Sequence, residues 1–291
     1  MPQKIAVAII HGIGSQTPDF ADETIAELTQ RVSKLIQGQS PDPASELVMK
    51  PVYWATELQD SENELWSRLR KGGDLDFLSL RRFMVNFAAD AIAYQPAPKE
   101  RDAYDRIHSR VAATLNELAA AAGPTAPLCV LAHSLGTVIA SNYFYDLARQ
   151  SRKKLIGRKV LNEMDDTPLE RGETLTCLYT FGSPIALWSL RYEDFGRPIA
   201  VPSPKLTTHH AALAAASEWI NFYDEDDVIG YPLRTLNDAY KLAVKADIQV
   251  NAGGMLSSWN PLSHNGYWTD NDVTKPIAAG LAKVWQRANG F

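Results

Sequence analysis

The feature that most constrains the chain is an unbroken apolar hexapeptide, Ile5-Ala6-Val7-Ala8-Ile9-Ile10, running straight into His11-Gly12-Ile13-Gly14. A strand with one face in water alternates apolar and polar residues, whereas a strand apolar throughout needs cover on both faces, as parallel strands have between two layers of helices. Residues 128–132, 175–181 and 219–223 repeat this strongly apolar character. Between the first run and an extended stretch at 46–54, Ile25, Leu28, Val32, Leu35 and Ile36 recur at helical spacing within 19–37, before Pro41 and Pro43. This β-α-β opening predicts an α/β fold with a mostly parallel central sheet and helices on both faces.

Residues 102–122 predict a helix with Tyr104, Ile107, Val111, Leu115, Leu118 and Ala122 on one face and a Gly123-Pro124 stop. A final strand is expected at 247–251, followed by a loop and a closing amphipathic helix carrying Ile277, Leu281, Val284 and Trp285. Two stretches interrupt the alternation. Residues 60–94 form two helical pieces divided by Gly72-Gly73, and 190–218 hold Pro198, Pro202, Pro204 and an alanine-rich helix near 211–217. Both read as insertions with the character of a cap or lid. The charged segment 149–173 reads as a solvated connector. No repeat or linker divides the chain, so residues 1–291 are expected to form a single domain.

The net charge of −5 provides no footprint for a phosphate backbone, which sets nucleic acid aside as a partner. No apolar run reaches the roughly 18 residues of a membrane span. The amino-terminal hexapeptide is short for a secretory core and lacks a small-residue cleavage site, so it reads as a strand. Cys129 and Cys177 lie inside apolar runs, as buried thiols do, which predicts a reducing, cytoplasmic compartment.

The chemistry concentrates where strands end. Ser134 follows the 128–132 run in Ala132-His133-Ser134-Leu135-Gly136 and precedes a helix-like stretch from Thr137 to Arg149. A serine hydroxyl becomes a nucleophile when a sharp strand-to-helix turn lifts it from the sheet toward a base, and that turn tolerates only small neighbours. Gly136 supplies one of them, and Ala132 stands where glycine is usual. The alternative is an ordinary capping serine. His11-Gly12 after the first strand suits the second half of an oxyanion site, with the backbone N–H groups of Ile13 and Leu135 as donors. The competing dinucleotide loop would need a third glycine, where Thr17 stands.

Four carboxylates lie in the segment Asp224-Glu225-Asp226-Asp227 after the 219–223 run. Asp226 is the chosen acid, with Val228 and Ile229 expected to pack below it; Asp227 and Asp224 are the alternatives. In serine enzymes built on a strand–turn–helix nucleophile the chain order is serine, acid, histidine. Of six histidines, His264 alone follows the acidic turn.

His11-Gly12, Ala132-His133-Ser134-Leu135-Gly136, Phe181-Gly182-Ser183-Pro184, the turn from Asn221 to Val228 and Ser263-His264 together resemble the α/β-hydrolase superfamily. Within it, the chain looks like serine lipases and esterases of the kind that includes the GPI-inositol deacylase-like proteins. The motifs follow family order from residue 5 to about 268, with Ala132 the one departure. The resemblance implies a mixed sheet with helices on both faces, no cofactor or metal, and hydrolysis of a carboxylic ester through an acyl-serine. Ser183 reads as a structural or pocket residue. His11, Gly12, His133, Ser183 and Trp188 are candidates for substrate contact. Trp66, Leu75, Phe77, Leu78, Leu80, Phe83 and Phe87, together with Trp188, suit a cap that takes an acyl chain or touches a membrane surface; the alternative is core. Two rival functions share these residues: an idle hydrolase-fold module that binds protein, and an acyltransferase or peptidase with the same serine, acid and histidine.

Overall fold

The apolar hexapeptide forms β1 (Ile5–Ile10), every residue of it buried. The computed structural model describes residues 2–12, 16–72, 76, 78–95, 101–252 and 261–291. After β1 come α1 (Asp22–Leu35), β2 (Leu47–Val52), α2 (Gln59–Lys71), α3 (Leu78–Ala93) and α4 (Asp102–Ala122). The middle of the chain adds β3 (Leu128–His133), α5 (Leu135–Lys153), α6 (Arg158–Leu161), β4 (Leu175–Phe181), α7 (Ile185–Ser189) and α8 (Leu206–His209). β5 (Glu218–Asp224), α9 (Asp238–Ala243), β6 (Ala246–Val250) and α10 (Asn271–Ala288) follow.

The six strands form one sheet in the order β2-β1-β3-β4-β5-β6, and every pairing is parallel. This is an α/β fold; the mixed sheet expected from the resemblance is absent among the described residues. Successive strand side chains leave opposite faces, and the two cores follow that alternation. Ala6, Ala8 and Ile10 of β1 with Leu128, Val130 and Ala132 of β3 pack against α4 and α5. Ile5, Val7 and Ile9 with Cys129 and Leu131 pack against α1 and α10. The outermost strand β2 holds Pro51, a residue that cannot donate to a ladder and belongs on a sheet edge. Cys129 and Cys177 are free, buried thiols in register on neighbouring strands. No helix among the described residues is long and apolar enough to cross a membrane.

The strand order contains one reversal. From β1 the chain moves to one side to form β2, then returns across β1 to place β3 on its other side. At such a switch point the connections leaving the carboxyl ends of two adjacent strands part toward opposite faces and open a crevice. The strands concerned are β1, ending at His11-Gly12, and β3, ending at His133-Ser134.

The expected helices at 19–37 and 102–122 are α1 and α4, and the interrupted pair at 60–94 becomes α2 and α3. The alanine-rich helix expected at 211–217 does not form. A single 3-10 turn, Ala211–Leu213, stands there, because β5 begins at Glu218 and leaves too few residues to nucleate an α-helix.

Candidate functional site

Ser134 joins β3 to α5 with φ 53° and ψ −129°. A non-glycine residue in this region costs on the order of 1–3 kcal/mol and persists only where its surroundings enforce it. The enforcement is visible. The Ser134 N–H donates to Phe181 O (3.0 Å), while Thr137 donates to Ser134 O from its N–H (2.9 Å) and from its hydroxyl (2.7 Å). With the Thr137 proton spent there, the Ser183 hydroxyl donates to Thr137 Oγ1 (2.8 Å) and accepts from the Ile185 N–H (3.3 Å). Ser183 is thus a brace beneath the turn rather than a pocket residue.

Bare backbone surrounds the serine. A Cβ at Gly12 would lie 2.4 Å from Ser134 Cβ, and one at Gly136 would lie 2.5 Å from His11 O and 2.6 Å from Ile10 O. Gly12 and Gly136 therefore let the ends of β1 and β3 meet at the switch point. The Ser134 hydroxyl does not cap α5, and its buried Oγ has no hydrogen-bond partner among the described residues. Leu135 opens α5, so its N–H has no intrahelical acceptor. Ile13, the other expected donor, lies outside the described residues.

His264 and Asp227 form a buried pair: His264 Nδ1 lies 2.8 Å from Asp227 Oδ2. Tyr267 Oη donates to the same carboxylate oxygen (2.8 Å), and the Ile229 N–H donates to Oδ1 (3.1 Å). Burial alone would raise the Asp227 carboxyl; the contacts from His264, the Ile229 N–H and Tyr267 outweigh it and hold the group below the usual carboxylate range. Tyr267 also accepts the Asp224 N–H (2.9 Å), so one phenol ties the acidic turn to the histidine segment. Burial, then the Asp227 charge, pushes that phenol up.

The position chosen from sequence is one residue off. Asp226 is exposed, and its N–H donates to Asp224 Oδ1 (2.8 Å); its neighbour Asp227 turns inward. Only half of the expected aliphatic pair packs below the turn, since Ile229 is buried and Val228 exposed. Gly182 and Gly230 make the room: a Cβ on Gly230 would lie 2.5 Å from Asp227 Oδ2, and one on Gly182 would lie 3.0 Å from His264 Cε1. Ser134 and His264 therefore both adjoin the same strand end, Phe181-Gly182.

His133 and His11 hold backbone. His133 Nε2 lies 2.6 Å from His264 O, where it can only donate, and the two imidazoles are 4.7 Å apart. Burial first, then the adjacent His264, lowers His133 to about 3, so it is neutral at ordinary pH. The Trp54 N–H donates to His11 Nε2 (3.1 Å), which fixes the proton on Nδ1, and Nδ1 donates to Gly12 O (2.7 Å). Burial lowers His11 to about 4. Its ring stacks on Trp54 at 4.7 Å. Of these two histidines, expected to face substrate, His11 spends both ring nitrogens on backbone, while His133 spends Nε2 and its buried Nδ1 has no hydrogen-bond partner among the described residues.

Trp188 on α7 meets Phe87 of α3 edge to face at 6.2 Å, linking the first insertion to the element after β4. Phe87 and Trp188 are both partly buried against the core. Leu75 and Phe77, and the side chains of Leu80 and Phe83, lie outside the described residues. Among the described residues no group of three or more His, Cys, Asp or Glu could hold a metal ion.

Comparison of the sequence with protein-family models finds no matching family, and comparison with curated proteins finds no matching relative. The chemistry open to the site therefore rests on its geometry: a strained serine and a helix amino terminus at the sheet switch point, and an imidazole on a buried carboxylate at the neighbouring strand end.

Proposed function

We propose that this chain is a serine hydrolase of the α/β-hydrolase type that cleaves a carboxylic ester. The observation that carries the reading is the buried His264–Asp227 pair at the end of β4, the strand whose Phe181 carbonyl also holds Ser134, a serine at positive φ between a parallel strand and a helix. In the proposed reaction, the Ser134 oxygen attacks the ester carbonyl as His264 takes its proton, and the Leu135 N–H stabilises the oxyanion. Collapse of the tetrahedral species breaks the bond to the alcohol oxygen, which leaves with the proton from His264. Water then attacks the acyl-serine carbonyl, giving a proton to His264, and collapse breaks the bond to Ser134 Oγ, which takes that proton from His264 as the acid product leaves. Asp227 keeps the His264 proton on Nδ1 and stabilises the imidazolium.

A fluorophosphonate probe tests the serine directly. Rapid labelling of the wild-type chain, lost in Ser134→Ala together with p-nitrophenyl ester hydrolysis, is the expected result. Absence of labelling in a folded wild-type protein would turn the reading toward a binding module on the same fold.

A further inference from the structure

The charged connector at 149–173 does more than face water: together with the end of α5 and residues 198–205 it lines a cavity of about 620 Å³. The cavity is remote from Ser134. It is lined by the second half of α5, whereas Ser134 precedes the first turn, so that along the helix Phe144 lies about 15 Å and Arg149 about 22 Å from the serine. Its volume falls in the range of about 300–1,000 Å³ in which proteins bind small molecules.

The floor is apolar, made by Phe144, Leu147, Ile156, Leu175 and Ile199. The rim carries three cations, Arg149, Arg171 and Lys205, against two carboxylates, Asp166 and Glu173. Glu173 is already saturated: Arg171 Nε (2.9 Å), Lys205 Nζ (2.7 Å) and His209 Nε2 (3.0 Å) all converge on it. Asp166 pairs with Arg171 at 3.4 Å. Arg149 forms no salt bridge among the described residues, although its charge reaches the largely buried Asp146 carboxylate; its guanidinium carbon sits over the Tyr145 ring, 3.6 Å from the centroid. Stacking in this way leaves the in-plane N–H donors at the edge of the guanidinium available to an anion.

We propose that this cavity binds an amphipathic monoanion, a carboxylate with a hydrocarbon tail, with the tail on the apolar floor and the carboxylate on Arg149. An apolar pocket alone would take a neutral chain equally well, and Arg149, the rim cation that no salt bridge occupies among the described residues, is what selects the acid. The site is independent of the chemistry at Ser134.

Calorimetric titration of the full chain with sodium dodecanoate and with dodecanol, both below their aggregation limits, tests this. Dodecanoate is expected to bind one per chain and at least roughly tenfold more tightly than dodecanol, the discrimination of a charge-assisted contact. Arg149→Met should bring dodecanoate to the level of the alcohol, while Arg149→Lys, which keeps the charge, should preserve most of the preference. Ala148→Trp, at an exposed position lining the cavity, should abolish both, and Ser134→Ala should change neither. Equal binding of acid and alcohol to the wild type, binding that survives Ala148→Trp, or no binding at all would each overturn the proposal.

Discussion

At Asp227 three hydrogen bonds meet on one carboxylate in a buried setting, while Asp226 beside it points into water. That difference predicts opposite outcomes for the same substitution at adjacent positions. Asp227→Asn should lower ester turnover by about 10³–10⁴-fold, because an amide can no longer fix the His264 tautomer or balance an imidazolium. Asp226→Asn should leave it within about twofold. Steady-state kinetics of both variants on a p-nitrophenyl ester decide it, and an equal loss in the two would remove Asp227 from the proposed role. The sequence narrowed the acid to one turn and could go no further. Which of several adjacent carboxylates turns inward depends on the room left by Gly182 and Gly230, and on a phenol that arrives from Tyr267. Tyr267 had a usable signal in hindsight, lying three residues after His264 within one 3-10 run, where i and i+3 share a face.

Elements were legible where local pattern and tertiary demand agreed. Apolar runs with no polar face became the inner strands β1, β3 and β4, and the six-position stripe of α4 became its core-facing side. The failure at 211–217 has the opposite cause. Alanine favours helix, but a short segment that must hand over to β5 while burying Leu213 and Ala216 has no length in which to pay for nucleation. Junctions between elements carry the sharpest test of the fold. Gly136→Ala, whose new carbon would meet two main-chain carbonyls, should destabilise the chain by about 3 kcal/mol or more, since backbone cannot step aside as a side chain can. Gly38→Ala, also at a turn but with open space around it, should cost only about 1 kcal/mol for its positive φ. Urea unfolding of the two variants measures the contrast; equal losses would mean that the contact between the ends of β1 and β3 does not constrain the molecule.

At the scale of the whole molecule, the buried histidines make stability depend on pH. His11, His108 and His133 are lowered to about 4, 3 and 3, in each case chiefly by burial, whereas the same side chains in an unfolded chain titrate near 6.5. Below pH 6.5 the unfolded chain takes up protons that the folded chain refuses until its own lower values are reached. Stability is therefore complete above pH 6.5 and falls as pH drops from there toward 4. His108 isolates one such contribution, because it lies away from Ser134, between α4 and the Tyr94 hydroxyl (2.8 Å). His108→Gln should reduce the slope of unfolding free energy against pH by about 1.4 kcal/mol per pH unit across pH 4–6. Urea midpoints over that interval give the slope, and an unchanged one would mean that His108 is protonated in the folded chain.

The order in which the site is written along the chain has its own consequence. Among the described residues the six strands have all emerged by Val250, and with them Gly12, Ser134 and Asp227, yet His264 and Tyr267 follow only afterwards. A nascent chain can thus form the described sheet before the proposed base of Ser134 has been made. In synthesis, the described sheet thus precedes the residue that the proposed reaction uses as its base.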